Sequence, residues 1–245
     1  MLQHPCWKME TVKEFVDERQ KSWCIHCGTW LSLADVNRDH VPSKGLMLRP
    51  FPPNLPVVQV CAPCNNGFSK DEEYLVALLG AVLAGSAEPD ERMIPTAAGI
   101  LRRNPGLKER ISRAEDSYDT RSGEHRSAWN PEWDRVRRVI LKNARGHAFY
   151  EIGEPMLGEP ASVGALPISS MGPIERQEFE AVGSSFYPEV GSRMLTRVAI
   201  GQDLRNGWVM VQEGVYRYAV VQDGGVVVKS VLFEYLATEV RWTDE

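Results

Sequence analysis

The sequence has no apolar run long enough to cross a membrane. The longest, over residues 74–85, falls short of the ~20 residues that a transmembrane helix needs. The first 20 residues carry charged side chains from Lys8 to Arg19 and no apolar stretch, so we expect no secretory leader. Both absences predict a cytoplasmic protein without a membrane partner.

Cysteine is also scarce, with 5 among 245 residues. A small disulfide-stabilised scaffold is therefore excluded, and the low number suits a reducing compartment. Four of the five form two Cys-x-x-Cys pairs, Cys24/Cys27 and Cys61/Cys64, and only Cys6 stands apart. This spacing predicts metal ligands rather than disulfides.

Positive charge is not in excess, because 28 basic and 33 acidic side chains leave a net charge of −5. This balance argues against a protein that coats nucleic acid with its whole surface. The distribution is uneven: residues 101–150 hold 12 basic and 7 acidic side chains, whereas residues 151–245 hold 7 and 14. One basic segment therefore lies between a nearly neutral N-terminal region and an acidic C-terminal region.

The first 85 residues show short elements around the cysteines. Apolar residues at helical spacing predict a short helix over residues 11–23. Residues 36–41 and 57–60 are expected to be strands, separated by a proline-rich loop. Ser69 as the N-cap, with Glu72 three residues later, predicts a helix over residues 69–83.

The rest of the chain changes from helical to β patterns. We predict short helices near residues 96–103 and 105–112, an irregular polar segment over 116–131, and an amphipathic helix over 132–150. Later alternation indicates strands over 194–200, 208–212, 215–221, 226–233 and 239–242, with a hairpin turn at 222–225. These patterns predict an α+β fold whose C-terminal region is mainly antiparallel β sheet.

The two cysteine pairs are the strongest chemical signal. Two such knuckles separated by a loop supply the four thiolates of a tetrahedral zinc ion. We predict a structural Zn²⁺ held by Cys24, Cys27, Cys61 and Cys64. His26 lies inside the first pair and is an alternative ligand, although four cysteines already fill the coordination shell. A plain zinc ribbon that binds another protein is the alternative interpretation of the site.

The segment between the pairs contains groups that suit hydrolysis. Asp39 and an asparagine oxygen are hard ligands of the kind that Mg²⁺ or Mn²⁺ prefers. The imidazole of His40 is suited to act as a general base near neutral pH. Adjacent residues of a strand point to opposite faces, so a shared site requires a bend or a position at the strand's end. The alternative is that Asp39 caps a helix and His40 is simply a buried histidine.

These residues resemble the motif of the HNH endonuclease family, the ββα-metal nucleases. The resemblance rests on Asp39-His40, then Asn54-Leu55, then Cys61-x-x-Cys64-Asn65-Asn66-Gly67, with Cys24-x-x-Cys27 as an upstream zinc knuckle. It covers roughly residues 20–80. The third motif position holds Asn rather than His, as in the HNH domains of CRISPR effector nucleases.

The resemblance implies a metal-dependent endonuclease that hydrolyses phosphodiester bonds. By similarity, His40 is the general base and Asn54 orients the loop that carries it. Asp39 and Asn65 hold the catalytic Mg²⁺ or Mn²⁺ ion, and Asn66 is the alternative to Asn65. The expected organisation is an HNH module with structural zinc over residues 1–85, a helical connecting region over 86–150 and a mainly β accessory domain over 151–245.

Candidate nucleic-acid contacts are basic side chains outside the motif. We predict that phosphate groups are met by Lys70, Arg137, Arg138 and Arg145, because affinity for a nucleic-acid backbone comes largely from such charges. The alternative is that the arginines form the solvated face of a packed helix and that Lys70 belongs to a solvated first helical turn.

The expected substrate is DNA. By resemblance, the expected role is bacterial defence against phage or plasmids, with partner proteins of that system. Two alternatives remain: a catalytically degenerate zinc-binding module that binds protein or nucleic acid, and a sensor whose C-terminal domain controls the nuclease.

Overall fold

The computed structural model of the chain describes residues 11–13, 20–119, 121, 123, 125–182, 188, 190–201, 204–222 and 224–243. Cys6 lies outside these residues. The chain divides into two compact units, which we call unit 1 (Met1–Asn65 with Ile140–Glu245) and unit 2 (Asn66–Val139). The domain bounds expected at residues 85 and 150 stay a prediction. The packing joins the N-terminal and C-terminal segments into a single unit.

The structure is α+β, as the sequence patterns predict. The helices are α1 (Ala62–Ala84), α2 (Pro95–Arg103), α3 (Pro105–Ala114), α4 (Trp133–Ile152), α5 (Pro173–Glu180) and α6 (Arg193–Ile200). Within the described part of the chain, none of these is both long and apolar enough to cross a bilayer.

The strands form three sheets. Strands β1 (Thr11–Lys13), β2 (Val36–His40) and β3 (Leu55–Cys61) form the first, in the order β1-β3-β2, and β4 (Glu115–Asp119) pairs with β5 (His125–Trp129). The third sheet contains β6 (Ser162–Pro167), β7 (Leu204–Arg205), β8 (Trp208–Gln212), β9 (Tyr216–Gln222), β10 (Gly225–Leu232) and β11 (Leu236–Thr243).

The C-terminal sheet confirms the predicted antiparallel β region. Its six strands follow the order β6-β11-β10-β9-β8-β7, and every neighbouring pair is antiparallel. Strands β9 and β10 form the predicted hairpin, with Val226 opposite Gln222; Asp223 of the turn lies outside the described residues. Strand β10 is buried at consecutive residues over 226–228 and 230–232, so both of its faces are covered there.

Three sequence predictions were wrong. Residues 11–13 form β1 rather than the start of a helix, and they pair in parallel with the beginning of β3. The polar segment 116–131 contains the β4–β5 hairpin, which cross-strand contacts such as Ser127 Oγ to Glu115 (2.8 Å) help to hold. Residues 194–200 form α6 instead of a strand, because Ser192 caps its first turn and Gly201 ends it at φ 70°.

Helix α1 begins seven residues earlier than the capping signal predicts, at Ala62 instead of Ser69. Its first two turns are polar and contain Gly67, so the apolar stripe that marks a helix becomes visible only later. The early start places Cys64 and Asn65 directly after β3. The order β2, β3, α1 is therefore a ββα arrangement with Cys61 at its strand-to-helix junction.

The core of unit 1 combines both ends of the chain. One cluster of buried apolar residues joins the strands around the cysteines to the last turns of α4, where Phe149 contributes; its other members are Cys24, Ile25, Leu31, Val41, Val58, Val60 and Cys61. A second cluster lies between α5 and the C-terminal sheet and includes Phe179 and Trp208. The module around the cysteines thus depends on a distant helix for part of its core.

The last turns of α4 also carry buried polar groups against the C-terminal sheet. The His147 ring is fully buried, stacks on Tyr218 with ring centroids 3.7 Å apart, and lies 2.9 Å from the Tyr216 hydroxyl through Nε2. Tyr216 in turn donates to Ser230 Oγ at 3.2 Å. Burial lowers the pKa of His147 to about 3, with the charges of Arg197 and Lys142 acting in the same direction.

A second buried polar contact lies one turn further along α4. The Glu151 carboxylate is fully buried, accepts a hydrogen bond from Arg197 Nε at 3.0 Å and another from the Tyr218 hydroxyl. A buried carboxylate that loses its cationic partner is strongly destabilising. This contact therefore ties α4 to both α6 and β9.

We predict that acid destabilises unit 1 through His147. Because the folded-state pKa is lowered, the unfolded chain binds a proton first as pH falls below ~6.5, and stability is lost there. Between pH 7 and pH 5 the loss from this one group amounts to about 2 kcal/mol. Urea unfolding of wild type and His147→Gln at both pH values measures it. An equal pH dependence in the two proteins would contradict the prediction.

Ending the chain after Ile152 is expected to prevent unit 1 from folding. The truncation removes the whole C-terminal sheet and leaves His147 and Glu151 exposed on α4, while the core around Phe149 loses its support. Near-ultraviolet circular dichroism and size-exclusion chromatography report the loss. A chain that ends after Thr243, which keeps all of β11, is the matched control. A truncated protein that melts cooperatively at the wild-type temperature would contradict this expectation.

Unit 2 contains the rest of α1 with α2, α3 and the β4–β5 hairpin. A Cβ atom at Gly80 would lie 2.2 Å from the Ala97 Cβ, so only glycine permits the close packing of α1 and α2. The Tyr74 hydroxyl accepts a hydrogen bond from the Glu132 backbone N–H at 2.8 Å. Asp71 accepts from Arg135 at 2.7 Å and from Arg138 at 2.6 Å.

Candidate metal centre and the Asp39–His40 strand

The structure brings the four predicted cysteines together. Their Sγ atoms all lie within 4.8 Å of one another, and the cluster consists of Cys24, Cys27, Cys61 and Cys64. The sulfur atoms of Cys27 and Cys61 are 3.7 Å apart. Cys24 and Cys61 are buried, Cys64 is half-buried and Cys27 is exposed, so the cluster lies at the edge of the unit 1 core.

Local backbone geometry shapes each half of the cluster. The first pair lies in a tight turn in which Gly28 donates its N–H to the Cys24 carbonyl and adopts a left-handed φ of 72°. The Cys24 N–H donates to the Thr29 carbonyl at 2.8 Å, closing the knuckle. The second pair is formed because β3 ends at Cys61 and α1 begins at once, which puts Cys64 on the first helical turn.

The arrangement fits a zinc ion. With Zn–S bonds of ~2.3 Å, tetrahedral coordination separates the sulfur atoms by ~3.8 Å, close to the spacing observed here. Burial raises the pKa of Cys24, and burial together with the neighbouring thiols raises that of Cys64. Burial acts to raise the pKa of Cys27, but hydrogen bonds with Thr29 and the nearby thiols together outweigh it and lower the pKa to about 7. A divalent cation would offset the repulsion among four thiolates.

Two tryptophans flank the first knuckle. Trp23 and Trp30 form a β-bridge, and their rings meet edge to face with centroids 5.3 Å apart. Leu31 follows and is buried in the cluster that includes Cys24 and Cys61. Apolar side chains therefore surround the cysteines on the side of the first pair.

The His26 side chain lies close to Asp39 of β2. Its Nε2 lies 3.7 Å from Asp39 Oδ2, a distance that suits ion-pair attraction but not a hydrogen bond. Burial lowers the pKa of His26, although Asp39 acts in the opposite direction. Four cysteines form the cluster without it.

Asp39 is buried, with 6% of its surface exposed. Its Oδ1 lies 2.7 Å from the Nζ of Lys142, whose exposure is 3%. Burial alone would raise the pKa of Asp39, but His26 and Lys142 lower it, so the carboxylate is ionised at neutral pH. The charge of Asp39 is thus already compensated by a side chain of α4.

His40 ends β2 opposite Val57 and is half-buried. Its side chain points to the face opposite that of Asp39, as strand geometry requires. Burial lowers its pKa, and the nearby positive charge of Lys44 contributes further. The imidazole is therefore neutral at cellular pH, which is the form a general base must have.

The asparagines of the motif occupy distinct local positions. Asn54 is exposed in a left-handed conformation at φ 60° immediately before β3. It lies on the wall of a cleft of about 270 Å³ that Tyr150 and Tyr218 also line. Asn65 is half-buried and Asn66 is exposed, both near the start of α1.

The catalytic ion expected at Asp39 and Asn65 does not fit this arrangement as it stands. Mg²⁺ and Mn²⁺ need oxygen ligands with positions left open for water and phosphate. Asp39 is buried and holds the ammonium group of Lys142 instead. Among the residues that the structure describes, the four cysteines are the one cluster of three or more His, Cys, Asp or Glu ligands.

The predicted phosphate contacts have different surroundings. Arg145 is 8% exposed, and its guanidinium donates to the backbone carbonyls of His26, Leu157 and Gly158. It is therefore not on an accessible surface, and we correct its assignment: Arg145 packs inside unit 1. The helical period predicts that Arg145 lies on the same side of α4 as Arg138. It cannot show that the segments of His26 and Leu157 cover this part of the helix.

The other three basic residues belong to unit 2. Lys70 is exposed near the middle of α1, and Arg137 is half-buried. The Arg138 side chain is 53% exposed, pairs with Asp71 and lies over the Phe68 ring at 5.6 Å. Their role in nucleic-acid binding stays a prediction.

Sequence reasoning missed Lys142 and Asn143, which reach the segment after His40. Lys142 Nζ donates to Ser43 Oγ at 2.8 Å, and Asn143 Oδ1 accepts from the Ser43 backbone N–H at 3.0 Å. The available signal was a lysine and an asparagine between the apolar residues Ile140 and Ala144 of α4.

Comparison with known proteins gives no relative: no protein-family model, no curated protein and no solved structure matches this chain. The chemistry of the site itself therefore has to indicate the function.

Proposed function

We propose that this protein is a zinc-stabilised endonuclease of the HNH type that hydrolyses phosphodiester bonds in DNA. The observation that carries the proposal is the ββα arrangement of β2, β3 and α1, in which four clustered cysteines bracket a strand ending in His40. His40 ends β2 opposite Val57, and the metal-stapled strand-to-helix junction at Cys61 holds the other end of the same ladder, opposite Val36. A candidate general base on a strand braced in this way supports hydrolysis better than binding alone.

His40 is the proposed base. Its neutral imidazole accepts a proton from a water molecule, whose oxygen attacks the phosphorus as the bond to the leaving oxygen breaks. The leaving oxygen then takes a proton from solvent. The lowered pKa of His40 keeps the base in its active form throughout the physiological range.

The resemblance to HNH nucleases predicts that Mg²⁺ or Mn²⁺ supports this reaction. The chemistry that such an ion supplies is stabilisation of charge on the phosphate and leaving oxygen. Because Asp39 is paired with Lys142, we assign no step to an ion held by that carboxylate. In this proposal the zinc at the cysteines is structural and remains separate from catalysis.

The pairing of Asp39 favours a second candidate, a zinc module that binds protein or nucleic acid without cleaving it. A motif carboxylate buried against lysine is what a catalytically degenerate relative would contain. Bacterial defence against phage or plasmids, with partner proteins, remains the proposed biological setting for either candidate.

Incubation of the purified protein with supercoiled plasmid tests the proposal. We expect nicked or linear product with added Mg²⁺ or Mn²⁺, and none when a chelator too weak to remove zinc is present. Linear DNA and RNA substrates in parallel reactions define the substrate class. A folded, zinc-loaded protein that binds plasmid but leaves it intact with every divalent ion would favour the binding module.

A further inference from the structure

We propose that Lys142, with its neighbour Asn143, is a positioning residue for His40. This inference rests on the proposed function, because it assigns a role to the proposed base. The structural basis is a set of three contacts that α4 makes with residues 39–43, the segment that contains His40.

The first contact is a buried ion pair. Lys142 Nζ lies 2.7 Å from Asp39 Oδ1 and donates to Ser43 Oγ at 2.8 Å, and Lys142 is only 3% exposed. A lysine buried to this degree needs a carboxylate and a further acceptor to offset the loss of hydration. One ammonium group thus connects the residue before His40 with a residue three positions after it.

The second contact fixes the backbone beyond His40. Asn143 Oδ1 accepts hydrogen bonds from both the backbone N–H of Ser43, at 3.0 Å, and its hydroxyl, at 3.2 Å. Ser43 is 3% exposed, so water does not compete for these groups. Its backbone position is therefore specified by α4 rather than by local turn preferences.

The third contact is steric. A Cβ atom at Gly146 would lie 2.7 Å from Val41 Cγ2, so the missing side chain lets α4 approach the residue that follows His40. Val41 also extends the β2–β3 ladder, since its N–H donates to the Pro56 carbonyl at 3.0 Å. Both neighbours of His40 are thus held, Asp39 by charge and Val41 by packing, which fixes the backbone from which the imidazole projects.

The experiment compares wild type with Lys142→Met, Asp39→Asn and the double variant. Hydrogen exchange over residues 40–47 reports the positioning contact, and kcat and KM for plasmid cleavage report its consequence. For Lys142→Met we expect exchange at least about tenfold faster in this segment. We also expect kcat about 10²-fold lower with KM unchanged, because a small misplacement of the base affects chemistry rather than binding.

The double variant separates positioning from a general loss of stability. It removes both charges and leaves no uncompensated carboxylate in the interior. If Lys142 acts through Asp39, its kcat falls no further than that of the worse single variant. Lys108→Met, which changes a half-buried lysine paired with Glu88, is the matched control and keeps the wild-type kcat.

Ser43→Ala removes only the hydroxyl that Lys142 contacts, and it provides the test if the lysine variants do not fold. We expect its kcat to fall about tenfold, the effect of one misplaced hydrogen bond. Wild-type exchange and kcat in Ser43→Ala or in folded Lys142→Met would overturn the inference, as would fully multiplicative effects in the double variant. If exchange changes as expected but wild type cleaves nothing, the proposed function fails while the positioning contact stands.

Discussion

Cys61→Ser is expected to abolish metal binding and the cooperative folding of unit 1. Cys61 contributes one of four clustered sulfur atoms and is itself buried in the core with Cys24 and Phe149. Zinc sites of this kind contribute ~10–16 kcal/mol in isolated zinc-finger peptides, which equals or exceeds the whole stability of an ordinary domain. Metal analysis of the purified protein should find one zinc per chain in wild type and none in the variant.

The fifth cysteine offers a matched control for this result. Cys6→Ser makes the same chemical change outside the predicted ligand set, so we expect it to retain one zinc and the wild-type melting temperature. Prolonged treatment with a strong chelator should reproduce the effect of Cys61→Ser in wild type, and added zinc should reverse it. A Cys61→Ser protein that is soluble, metal-loaded and fully stable would rule out the structural zinc.

His40→Ala is expected to lower the rate of plasmid cleavage by ~10²–10⁴, the usual contribution of a general base. The side chain is half-buried at the end of β2 and is not one of the cysteine ligands, so fold and zinc content should not change. Single-turnover cleavage of supercoiled plasmid measures the rate, and circular dichroism with metal analysis establishes that the variant is intact.

His40→Ala also reveals a contaminating nuclease, because cleavage by a contaminant would persist in preparations of the variant. His125→Ala, in β5 of unit 2, is the matched histidine control and should cleave at the wild-type rate. Cleavage by His40→Ala at the wild-type rate would show that His40 is not the base. The Lys142→Met, Asp39→Asn and double variants complement this result. Together they distinguish the case in which His40 is not the base from the case in which His40 is the base but is displaced.

The acidic C-terminal region has a structural role that its charge alone would not indicate. Gln212 of β8 clamps the segment after His40, since its side-chain amide accepts from the Leu48 N–H at 2.9 Å and donates to the Leu48 carbonyl at 3.0 Å. With the contacts of His147 and Glu151, this clamp makes the sheet part of the support for β2. In the alternative in which the C-terminal region is a sensor, this contact between Gln212 and Leu48 would link it to the segment after His40.

Features that depend on local spacing could be predicted from the amino-acid sequence alone. The two Cys-x-x-Cys pairs predicted the cysteine cluster, because two closely spaced pairs of ligands need only one chain reversal to meet. Alternating apolar residues predicted the strands from β8 to β11, and the helical stripe predicted α4. These patterns repeat within a few residues, so they can be recognised without knowing which element the helix or strand packs against.

The folded chain was needed to show which faces are covered and by which residues. Asp39 and Lys142 are 103 positions apart in the chain, and no local pattern indicates that they form a buried pair. Arg145 has the spacing of a surface arginine, yet backbone carbonyls of two loops surround it. Charged residues in an amphipathic helix predict solvent by default, so their burial follows from long-range packing, which alone supplies the compensating partners.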